Sequence, residues 1–159
     1  MIERKNLNFL YDVRFQNPVA GTLTQKQVCS HQWLDDIGSS ENFRHFMNRM
    51  NKKTFGNSFK RFEKRLQVLP IQENSASQRH HIHMIISRPS RLSFNEFTAL
   101  ADECWMKTRF GYFETHFENH PDGGWLAYML KMRTKTNLFD SIDWTNRPLD
   151  ELNGWSMRF

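Results

Sequence analysis

A period-two alternation runs through Arg79-His80-His81-Ile82-His83-Met84-Ile85-Ile86 and predicts a β-strand. His80, Ile82, Met84 and Ile86 then share one face, mostly apolar and suited to a core. His81 and His83 share the other, with their imidazoles side by side. Upstream, residues 19–26 (Val-Ala-Gly-Thr-Leu-Thr-Gln-Lys) are rich in β-formers and predict a second strand. Residues 65–73 predict a third, in which Pro70 cannot donate to a ladder and belongs at an edge or a bulge. The polar stretch 74–78 is short enough to turn a hairpin into the histidine strand. Residues 111–117 alternate again, with Phe113 and Phe117 facing opposite to Tyr112, Glu114 and His116.

Helical spacing appears elsewhere. Phe43, Phe46, Met47 and Met50 make one apolar stripe, which predicts a helix over 41–54 capped by Ser39 or Ser40. Gly56-Asn57-Ser58 interrupts it, and 59–64 fits helix or extended chain equally. Ser93 and Glu96 match a capping box, opening a helix that buries Phe97, Leu100, Ala101, Cys104 and Trp105. Asp122-Gly123-Gly124 precedes a last helix over about 125–135. The order strand, helix, strand, strand, helix, strand, helix predicts an α+β fold, a central antiparallel β-sheet flanked by helices. No repeat, linker or phosphate-binding Gly-x-x-x-x-Gly-Lys loop interrupts that order, so no helicase domain is expected.

Composition narrows the setting. A chain of 159 residues with fourteen Phe and five Trp can bury a core as one domain. Cys29 and Cys104 are far apart and match no zinc-ligand spacing, which favours a reducing, cytoplasmic environment. No signal-like run opens the sequence and no window approaches the length of a membrane span, so no membrane partner is expected. The formal charge is +5, with Arg44, Arg49, Lys52, Lys53, Lys60, Arg61, Lys64 and Arg65 set against Glu63 alone in one short region. A basic patch with interleaved Phe points to a polyanion, most simply nucleic acid; it also fits a merely solvated helix face.

Three short patterns carry chemistry. Glu73 lies eight residues before His81 across the proposed hairpin, so it can come level with the histidine strand. Two imidazoles and one carboxylate suit a catalytic divalent ion, Mn²⁺ or Mg²⁺, with Zn²⁺ a competitor. Tyr128 and Lys131 are three apart on the last helix and present a phenol and an ammonium to one side. Residues 21–24 (Gly-Thr-Leu-Thr) lie on the strand beside the proposed site. Taken singly, each pattern also fits an ordinary role: histidines of a surface strand, a hairpin-end acid, a chance Tyr-x-x-Lys.

In combination and order, these residues resemble the HUH endonuclease superfamily, named for His-hydrophobic-His. Within it they are similar to the single-tyrosine rolling-circle replication initiators (Rep proteins) of small plasmids, phages and single-stranded DNA viruses. Gly21-Thr22-Leu23-Thr24 looks like the first family motif, His81-Ile82-His83 the second and Tyr128-Met129-Leu130-Lys131 the third. The resemblance covers about 19–135, and it departs at Gly21, where a bulky residue is usual.

The resemblance implies a ferredoxin/RRM-like HUH nuclease domain over 1–159, with its core at about 18–136 and a tail at 137–159. It implies a divalent ion on His81, His83 and Glu73, and attack by Tyr128, assisted by Lys131, on a phosphate of single-stranded DNA. The product is a covalent 5′-phosphotyrosine, so nicking and strand transfer need no ATP. Thr22, Thr24, Lys26, Arg44, Lys52, Lys53, Lys60, Arg61, Arg79 and Lys135 are the expected DNA contacts. The expected partner is single-stranded DNA bearing an origin hairpin, with a separate helicase as a candidate. Two alternatives stand beside this reading. One is a single-tyrosine transposase of the same superfamily, which resembles the chain in size but usually carries a glutamine further along the tyrosine helix instead of Lys131 and lacks the first motif. The other is a non-catalytic nucleic-acid-binding α+β module. Relaxases of the superfamily bring a third histidine, for which His116 and His120 are the candidates.

Overall fold

The computed structural model of the chain describes residues 15–75, 78–119, 121 and 141–146. Within them the alternating segments become strands β1 (Pro18–Gln25), β4 (Val68–Ser75), β5 (Gln78–Ser87) and β6 (Gly111–Asn119). A two-residue-armed hairpin, β2 (Val28–Cys29) and β3 (Gln32–Trp33), follows β1. The main sheet has the order β4-β5-β1-β6 with every neighbouring pair antiparallel. Helices α1 (Asp36–Phe55), α2 (Asn57–Phe62) and α3 (Phe94–Met106) complete the described elements. This is an α+β fold with a four-stranded antiparallel sheet flanked by helices, consistent with a ferredoxin-like arrangement.

The core lies between one sheet face and the helices. Val19, Leu23, Ile82, Met84 and Ile86 from the strands meet Phe43, Phe46 and Met50 of α1 and Phe97, Ala101 and Trp105 of α3, all fully buried. Trp105 stands edge-on to Phe46, with ring centroids 5.6 Å apart, and its indole Nε1 donates to the Thr24 carbonyl at 3.0 Å. Burying such side chains stabilises the fold by about 1.5–3 kcal/mol each. α3 opens on the expected capping box: Glu96 N donates to Ser93 Oγ at 3.2 Å, and Ser93 N donates to a Glu96 carboxylate oxygen at 2.8 Å. That pairing holds the Glu96 carboxyl below its usual range.

α1 begins earlier than its apolar stripe predicts. Its cap is Asp35, which accepts from Gly38 N at 2.7 Å, whereas Ser39 sits inside the helix, buried, and donates to Gln25 Oε1 at 2.7 Å. The helix ends at Gly56, whose φ of 57° few other residues adopt, and α2 then resolves the ambiguous stretch as a short helix. Pro70 is on β4, an edge strand as expected, and Ile142 bridges to Ile71 along that edge.

Close packing from both neighbouring strands surrounds Gly21. A Cβ there would lie 2.8 Å from Met84 Cε and 3.2 Å from the Phe117 ring, so neighbours on both adjacent strands fill the space. Among the described residues, no helix is long and apolar enough to cross a membrane. The predicted helix over 125–135, with Tyr128, Lys131 and Lys135, lies outside the described residues, as do His120 and most of the 137–159 tail.

Candidate metal and nucleic-acid site

Alternation along β5 sends Ile82, Met84 and Ile86 toward the helices and His81 and His83 to the opposite face. The flanking strands then decide what those histidines meet. On one side Thr24 pairs with His81 and Thr22 with His83; on the other, Glu73 pairs with His81 and Ile71 with His83. The Oγ1 of Thr22 lies 3.1 Å from His83 Nδ1, and the Oγ1 of Thr24 lies 3.1 Å from His81 Nδ1. Glu73 is level with His81 in the backbone, but its carboxylate reaches diagonally to His83 Nε2 at 2.8 Å. The imidazole centroids are 6.4 Å apart and the rings tilt by 31°.

This arrangement constrains the protons. Glu73 as a carboxylate can only accept, so a neutral His83 carries its hydrogen on Nε2 and takes the Thr22 hydroxyl proton at Nδ1. A hydroxyl can also accept. If Nε2 is to offer its lone pair, the hydrogen moves to Nδ1 and donates to Thr22, and the Glu73 carboxylate loses its donor and needs a cation in its place. His81 is held below its ordinary value, first by burial and then by His83, against the opposing pull of Glu73 and Glu114. Its imidazole is therefore biased toward the neutral form that a metal ligand requires.

The donor set fits a divalent ion in kind: two imidazoles, each with Nδ1 engaged by a threonine, and a carboxylate within reach. Outer-shell bonds of this type orient ligating histidines and raise their basicity. Imidazole donors favour Mn²⁺ or Zn²⁺ over Mg²⁺, which prefers oxygen. Among the described residues, however, no three His, Cys, Asp or Glu side chains stand together as a ready cluster. Loading would have to exchange the Glu73–His83 hydrogen bond for ligation.

Other expected residues scatter. Arg79 lies on the histidine face, exposed, with its guanidinium 4.2 Å from the Tyr112 ring centroid. Lys26 follows β1 at the same end of the sheet. Arg44, Lys52 and Lys53 belong to α1, which packs on the opposite sheet face, and Lys60 and Arg61 to α2, which follows it. The basic patch is therefore not gathered around the histidines. Arg44 pairs with Glu41 at 3.8 Å and Lys53 with Glu103 at 3.7 Å, while Arg44, Asn48, Arg65 and Asn146 line an open groove of about 440 Å³. His116 is opposite Thr22, which separates it from His83, and it approaches Glu118 at 3.5 Å, so it is no third member of the pair.

No protein-family model, curated protein or solved structure matches the chain. The site must be read from its own geometry. Two residues absent from the expected set join it: Glu114, whose charge acts on His81, and Tyr112 beneath Arg79. Alternation put both on the His116 face of their strand. Only the strand order brings that face round to the histidines.

Proposed function

We propose that the protein is a metal-dependent endonuclease and strand transferase of single-stranded DNA, acting in the manner of the rolling-circle initiators it resembles. The observation that carries this reading is the paired His81 and His83 on the sheet face opposite α1 and α3, half-buried and buried respectively, each Nδ1 engaged by a threonine of Gly21-Thr22-Leu23-Thr24, with Glu73 beside them. Two motifs that are separate in sequence meet there in hydrogen bonds. His81, His83 and Glu73 would hold a divalent ion, Mn²⁺ in preference to Mg²⁺ on these donors, and the ion would supply neutralisation of phosphate charge. Tyr128 attacks phosphorus through its phenol oxygen. The bond from phosphorus to the 3′-oxygen breaks, a 5′-phosphotyrosine diester forms, and the 3′-oxygen gains the proton that the phenol gives up. Lys131 stabilises the phenolate. One phosphodiester replaces another, so a 3′-hydroxyl can reverse the step. The biological role inferred is initiation of replication of a plasmid, phage or virus, in the cytoplasm, with a separate helicase unwinding ahead.

The test mixes the protein with partly randomised single strands and hairpins in Mn²⁺, then looks for a denaturant-resistant adduct. The adduct is expected to disappear with Tyr128→Phe and with a chelator; its absence under every pool and metal rejects the nuclease. A non-catalytic nucleic-acid binder is the second reading, favoured by the basic α1 and α2 residues lying away from the histidines. It predicts DNA binding that a chelator leaves unchanged.

A further inference from the structure

β6 carries a bulge across β1 from the histidines. As β1 advances from Leu23 to Gln25, β6 passes from Thr115 to Gly111, so extra β6 residues face Thr24. Bulges re-aim side chains, and this one holds Tyr112 at the end of the sheet. Arg79 lies two residues before His81 on β5, hence on the same face, and its guanidinium spans the end of β1 to lie over the Tyr112 ring at 4.2 Å. Among the described residues, no carboxylate or carbonyl takes up its N–H groups. Among the described strand residues of this face the other charged groups are Glu73, Glu114, Glu118 and the histidines, with Lys26 following β1, so Arg79 brings the strands a permanent positive charge. Two strand residues span about 6.7 Å, the order of one nucleotide step.

We propose that Arg79, held flat by Tyr112, clamps a backbone phosphate of a single DNA strand, one nucleotide from the phosphate that faces His81 and His83. This rests on the reading that the histidine face takes single-stranded DNA. The guanidinium fork supplies paired donors to the phosphate, while the tyrosine fixes its plane and spares it the loss of freedom on binding.

The test measures binding of a labelled single strand by anisotropy across a salt series, with chemistry blocked by Tyr128→Phe. Arg79→Ala is expected to weaken binding about tenfold and to reduce the salt slope by about 0.7, the contribution of one phosphate on a single strand. Arg79→Lys should keep the slope and lose several-fold in affinity. Tyr112→Phe should match the parent, and Tyr112→Ala should behave like Arg79→Lys. Unchanged affinity and slope in Arg79→Ala overturns the clamp, as does equality of Arg79→Lys with the parent. The outcomes separate from those of the nuclease reading. With Tyr128 intact, adduct formation at an unaltered rate in Arg79→Ala, at limiting DNA, rejects the clamp and keeps the nuclease. Loss of binding in Arg79→Ala with no adduct from any DNA keeps the clamp and rejects the nuclease.

Discussion

The two faces of the sheet are built from alternate residues of the same strands, yet they answer to different physics. On the helical face, Ile82, Met84 and Ile86 join a large cluster in which many contacts share the burden. On the other, His81, His83, Thr22, Thr24 and Glu73 make single, directed hydrogen bonds. The second face also buries Leu69, Ile71 and Ile85, so the contrast lies between side chains: removing an apolar group should be read out in stability, and removing His83 or a threonine hydroxyl in chemistry.

The largest effect is expected from Trp105→Ala. It deletes a fully buried ring and the bond from its indole to Thr24, and should cost about 3–5 kcal/mol in a denaturant titration. A loss under about 1 kcal/mol would mean the helical face is not the core that holds the sheet. Next comes His83→Ala, expected to lower Mn²⁺ affinity by at least about a hundredfold, measured by calorimetry, with the fold kept. If metal affinity survives while the melting temperature collapses, the contrast between faces is reversed.

Thr22→Val and Thr24→Val sharpen the comparison, because they remove only the hydroxyls behind the imidazoles. Each should reduce Mn²⁺ affinity by about 10-fold or more, with Thr→Ser retaining it. Imidazole nitrogen shifts in NMR give a second readout. His83 should carry its hydrogen on Nε2 without metal and on Nδ1 when Zn²⁺ is bound. An unmoved tautomer in Thr22→Val would leave the threonines a packing role only.

The smallest effect concerns pH. His81 has its folded value below the ordinary 6.5, so near that pH the unfolded chain binds more protons than the folded one. Stability is then complete above 6.5 and is lost as acid takes the pH down through the lower folded value. Thermal melts across this window should show the decline, and His81→Gln should flatten it. An equal decline in the variant would assign it to another group.

Much of the fold was legible because periodicity reports the faces of single elements. The β5 alternation, the α1 stripe and the Ser93–Glu96 box all translate directly into observed burial and capping. The start of α1 was not, because Asp35, Ser39 and Ser40 are all competent caps. A distant partner, Gln25, draws Ser39 inside. Counting across a hairpin brought Glu73 to the histidines, since a short turn sets the register of adjacent strands. The threonine–histidine bonds and the Arg79–Tyr112 stack depend instead on β1 lying between β5 and β6, a long-range choice that no local pattern encodes. For the same reason the basic run, clear in the chain, could not be located relative to the site.

Gly21 has a consequence for how the chain can change. The space that a side chain at position 21 would take is held by Met84 on one neighbouring strand and Phe117 on the other. The three positions are therefore coupled, and a larger residue at 21 requires the Met84 methyl to swing aside and the Phe117 ring to give way.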